Sequence, residues 1–104
     1  MEQQTNKDLR LLREKLDAID NELADLLCRR LAVTEEVAVL KAKEGLSAAD
    51  PSREETILSR LCQGRTKAEA EELRETYKLI FTRSKERINK KKQGGSTNEV
   101  SDQR

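Results

Sequence analysis

Arg30 stands where an apolar side chain is expected: Leu9, Leu16, Leu23 and Val37 recur at heptad spacing, and position 30 continues their phase. A guanidinium on such a seam costs stability unless an anion meets it. Arg30 therefore reads as an anion-binding residue, or as a register-setting polar residue or intermolecular ion pair. Lys41 lies eleven residues on, a separation that returns to nearly the same helical face about 16 Å along the axis. The two would bracket a small anionic ligand, with an ordinary surface lysine as the plain alternative for Lys41. Glu54 precedes Ile57 and Leu58 by three and four positions, which puts its carboxylate on an apolar face. Its plain alternative is a first-turn acid whose stem lies along that face. Ser84 continues the stripe of Leu73, Tyr77 and Ile80, aiming a hydroxyl at whatever the stripe covers unless it bonds a carbonyl one turn back. The chain has no His, and Cys28 and Cys62 form no CxxC. No metal site is expected, and the thiols read as reduced and packed.

These residues need long helices to position them. Leu9, Leu12, Leu16, Ile19, Leu23, Leu26, Val33, Val37 and Leu40 alternate at gaps that make a heptad seam, and no Gly or Pro occurs before Gly45. Thr5 with Asp8 reads as a start signal, so a first helix is expected from about Thr5 to Glu44. Such a helix is about 60 Å long and cannot bury its seam within its own chain. After a break over residues 45–50, Pro51 with a Ser52-x-x-Glu55 capping box opens a second helix over Arg53 to Gln63, closed by Gly64. Thr66 with Glu69 opens a third, fraying in Lys90, Lys91 and Lys92. The domain is expected over residues 1–92, followed by a disordered polar tail over 93–104.

Composition agrees with a small, partnered helical chain. Of 104 residues 39% are charged, 35% hydrophobic and 2% aromatic, so a self-sufficient core is doubtful on these proportions. A net charge of +1 gives no sign of the basic excess that a phosphate backbone needs, and nucleic acid is not an expected partner. Neither a long apolar run nor a signal-like N-terminus is present, so no membrane partner and a cytoplasmic location are expected.

Together these residues resemble a known family. LREKLDAID at 12–20, RRLAV at 29–33, Lys41, Asp50-x-x-Arg53-Glu54 and Ser84 stand in register with the all-helical class of chorismate mutases. The resemblance covers about residues 7–92. It implies an all-α fold of a long helix and two shorter ones, intertwined with a second copy as a six-helix homodimer. It also implies a Claisen rearrangement of chorismate to prephenate, on the route to phenylalanine and tyrosine, with no cofactor and no metal.

The chemistry implied is electrostatic. The substrate carries two carboxylates, and its ether oxygen gains negative charge in the transition state, so cations must pin a compact conformer and meet that oxygen. By resemblance, Arg30 and Arg13 clamp the carboxylates and Lys41 is shared between a carboxylate and the ether oxygen. Glu54 accepts the ring hydroxyl, and Asp50, Arg53 and Ser84 support these contacts. The sequence departs from the pattern at Ile88, where the family usually presents Gln or Glu as a donor to the ether oxygen; a slower mutase is the implied consequence.

Helix geometry adds a condition. Arg13 and Arg30 are about 25 Å apart along one helix and about 100° apart around it. They cannot grip one small molecule from a single chain. An antiparallel second copy would supply Arg13, giving two equivalent sites per dimer. Two other readings keep their place beside this one: an isochorismate lyase-like or non-catalytic chorismate-binding regulatory domain, which Ile88 motivates, and a helical coiled-coil adaptor. The adaptor explains the seam leucines but not why Arg30, Glu54 and Ser84 face inward.

Overall fold

The computed structural model describes residues 2–94. It contains α1 (Glu2–Glu44), α2 (Pro51–Cys62) and α3 (Lys67–Gly94), with no strand among the described residues. The fold class is all-α, with one long helix and two shorter ones, as the heptad and capping signals predict.

The helix ends are set by local chemistry. α1 begins three residues before Thr5, because Glu2, Gln3 and Gln4 are good helix formers with nothing to stop them. Asp8 accepts from Gln4 Nε2 at 3.0 Å inside the helix rather than marking its start. At the other end Gly45 takes φ +68°, the Leu46 amide donates to the Lys41 carbonyl at 2.9 Å, and the Gly45 amide donates to the Ala42 carbonyl at 3.4 Å. That pair of bonds is a Schellman motif, which needs a residue free to adopt positive φ.

α2 starts earlier than the Ser52–Glu55 capping box predicts. Its cap is Asp50, whose Oδ1 accepts the Arg53 amide at 3.1 Å, with Pro51 in the first turn. Proline at the first helical position leaves the cap to the residue before it. Glu55 instead accepts from Ser59 Oγ at 3.3 Å and faces Arg74. The box at Thr66 and Glu69 forms reciprocally: the Thr66 amide donates to Glu69 Oε1 at 3.0 Å and the Glu69 amide to Thr66 Oγ1 at 3.1 Å. Gly64, at φ +75°, follows the end of α2. α3 continues through the lysine run to Gly94. Of the tail expected over 93–104, the part from residue 95 on lies outside the described residues.

The chain divides into two compact units, residues 1–33 and 34–104. The first is helix alone, and its residues 3–29 are all exposed. Leu9, Leu12, Leu16, Ile19, Leu23 and Leu26 keep 43–57% of their surface open, so the seam stays uncovered within its unit, as the length argument requires. Cys28 is exposed too, against the expectation of a packed thiol, because nothing within this single-helix unit covers any of residues 3–29.

The second unit holds the core. Ala38 of α1, Ala48 of the connection and Ile88 of α3 form a buried cluster, and Ile57 of α2 and Phe81 of α3 are buried. Phe81 meets Tyr77 edge-on, ring centroids 5.5 Å apart. Arg87 Nη1 reaches Glu35 at 2.9 Å and Lys92 Nζ reaches the Leu46 carbonyl at 2.7 Å. Read with Ala38 and Ile88, these contacts advance in the same order along both chains, so α3 runs beside the end of α1 in the same direction. The pairs Glu54–Lys85, Glu55–Arg74 and Cys62–Ala70 advance in opposite order, so α2 and α3 are antiparallel.

Candidate functional site

Four of the polar residues singled out by their placement on a helix face lose part of their solvent exposure. Arg30, Lys41, Glu54 and Ser84 are each half-buried, whereas Arg13, Asp50 and Arg53 are exposed. Arg30 and Arg13 belong to the first unit; the other five belong to the second.

Within the second unit, α1 presents Lys41 one turn after the buried Ala38. Its backbone carbonyl is part of the motif that ends the helix. The chain then reverses through residues 45–50 and enters α2 at the Asp50 cap, which sets the phase of Glu54. The Glu54 amide donates to the Asp50 carbonyl at 3.0 Å, the first bond of the helix. Glu54 thus sits in the first turn, where the helix dipole favours a carboxylate. Ile57 and Leu58, one turn on, hold this face against the rest of the unit, one buried and one half-buried.

α3 supplies the opposite wall. Ser84 and Lys85 are half-buried, one turn before the buried Ile88. Lys85 Nζ stands 3.2 Å from Glu54 Oε2 across the α2–α3 groove. Sequence reasoning missed Lys85, because pairing across two helices has no signature in local spacing; the only available signal was its position four residues after the buried Phe81. Asp50 is exposed, and one of its carboxylate oxygens is engaged in the cap. Ile88 is packed against Ala38 and Ala48, so the position that departs from the chorismate mutase pattern is filled by a core side chain. Among the described residues no group of three His, Cys, Asp or Glu could hold a metal ion, and no helix is long and apolar enough to cross a membrane.

Chemically, the second unit offers a half-buried ammonium, carboxylate and hydroxyl on three successive segments.

Comparison with known proteins gives two findings. The family described as chorismate mutase type II matches residues 12–89, a span that includes all eight residues singled out above. The chain is also 38% identical over 52 residues to the T-protein of Enterobacter agglomerans, an alignment covering 50% of this chain and 14% of that protein. The chain therefore spans a small part of the curated relative it matches. No solved structure matches it at comparable significance.

Proposed function

The chain belongs to the chorismate mutase type II family, and from that premise we propose that it rearranges chorismate to prephenate in the synthesis of phenylalanine and tyrosine, as a cytoplasmic homodimer. The observation that carries this reading is the family match over residues 12–89, which spans Arg30, Lys41, Glu54 and Ser84. A coiled-coil adaptor gives no reason for polar groups at these positions, whereas the family's chemistry assigns each of them a contact with a dicarboxylate substrate.

The reaction is unimolecular: one C–O bond of the ether breaks as a C–C bond forms, and no atom is gained or lost. The residues therefore act by binding and by charge. Lys41 meets a carboxylate and the ether oxygen, where a cation lowers the barrier as negative charge develops. Arg30 and Arg13 of a second copy hold the carboxylates, which selects the compact conformer and removes much of the entropic cost of reaching it. Glu54 accepts from the ring hydroxyl. Ser84, Arg53 and Asp50 support these contacts, Asp50 through the cap that aims the first turn of α2.

The exposed seam supports the dimer. Among the described residues of the first unit ten large apolar side chains stay open in the single chain, seven of them on the seam, and a second α1 laid against the seam would cover the heptad positions of both copies. Ile88 favours a slow enzyme, since a polar donor at the ether oxygen is worth about 2 to 4 kcal/mol. Loss of chorismate absorbance with formation of prephenate by the purified protein tests the reading. Thermal stabilisation by chorismate without turnover would instead identify a ligand-binding domain.

A further inference from the structure

Lys85 is the residue that the family resemblance does not account for. Its ammonium lies 3.2 Å from Glu54 Oε2, with 38% and 26% of the two side chains exposed. The pairs Arg74–Glu55 and Arg87–Glu35 are more exposed at both ends. Lys85 follows Ser84 directly, and its pair with Glu54 places it on the side of α3 that faces α2.

The charge arithmetic gives this pair a task. The substrate of the proposed reaction is a dianion, and Glu54 is an anion asked to touch it. Like charges at such range repel strongly in a partly dehydrated site. An ammonium at 3.2 Å cancels most of that repulsion while leaving Glu54 Oε1 to accept the ring hydroxyl.

We propose that Lys85 is a positioning and charge-balancing residue for Glu54: it fixes one carboxylate oxygen and offsets the charge that would otherwise repel the dicarboxylate substrate. This rests on the mutase reading above. The ammonium acts through Glu54 and touches no reacting atom.

Steady-state kinetics with chorismate on the full chain test it, comparing wild type, Lys85→Gln, Lys85→Arg, Glu54→Gln and the Glu54→Gln/Lys85→Gln double variant. Lys85→Gln is expected to raise KM about tenfold, equal to about 1.4 kcal/mol, with kcat within about threefold of wild type. Lys85→Arg recovers most of the loss because it keeps the cation. In the Glu54→Gln background, removing Lys85 changes KM by less than about twofold, because the charge it balanced is gone. A structural role would instead lower the thermal midpoint and leave KM alone. An unchanged KM in Lys85→Gln, or equal effects of that change in both backgrounds, overturns the inference while the mutase reading stands. A wild-type protein without turnover overturns both.

Discussion

Ile88 of α3 and Ala38 of α1 close on each other in a buried cluster with Ala48, and Ile88 is 5% exposed. The small alanine lets the two helices approach, and the isoleucine fills the space at the position where the family resemblance implies a polar donor. On the proposed function, core packing and transition-state chemistry compete for the same side chain.

That competition sets the first prediction. Ile88→Gln buries an amide with no partner provided and lowers unfolding stability by about 1–3 kcal/mol. Turnover per folded molecule rises above wild type, since the amide brings a donor toward the ether oxygen. Urea denaturation and a chorismate assay at matched folded concentration read the two effects separately.

The Asp50 cap gives the second. Asp50→Ala removes the acceptor of the Arg53 amide and costs about 1 kcal/mol of stability. Asp50→Asn or Asp50→Ser keeps an acceptor and most of that stability. If these two variants also keep turnover, Asp50 serves the site through the aim of α2 rather than through its charge.

The third concerns the turn after Lys41. Nothing lies within 4 Å of a side chain built on Gly45, so Gly45→Ala meets no clash, and its cost is set by φ +68°. A loss of about 1–2 kcal/mol is expected, seen as a lower urea midpoint at unchanged slope.

The local signals were legible and the tertiary ones were not. Thr66 and Glu69 face each other within one turn, so their spacing alone predicts their bonds, and the face of Leu73, Tyr77, Ile80 and Phe81 follows from helical period. At α2 the spacing points to the Ser52–Glu55 box, but Pro51 at the first helical position leaves the cap to Asp50. α1 shows the limit most clearly: the seam of Val37 and Leu40 predicts which face wants another chain, while the face turned to α3 carries Ala38, one residue away. An alanine gives little hydrophobic signal, and its value lies in its size. Of the proposed site, Arg30, Glu54 and Ser84 stand out in the sequence because a polar group interrupts an apolar pattern, and Lys41 because its spacing returns it to the face of Arg30. Lys85 carries only the weak signal of following Phe81 by four positions, and only the approach of α2 and α3 gives it a partner.

Shared sites give the fourth prediction. Arg13→Ala and Arg30→Ala dimers are each inactive if every site takes Arg30 from one copy and Arg13 from the other. Mixing them through unfolding and refolding pairs half the chains heterologously, and each mixed dimer rebuilds one intact site of two. About a quarter of wild-type activity returns. Sites built within single chains would return none.

The most direct test of the central claim is the conversion of chorismate by the purified protein, followed as loss of chorismate absorbance, with prephenate confirmed by acid conversion to phenylpyruvate and Arg30→Ala as the paired control. The account predicts prephenate from the wild-type protein and a loss of at least about a hundredfold in the variant, about 2.7 kcal/mol. No prephenate from wild type at millimolar chorismate, or equal turnover from both proteins, would contradict it.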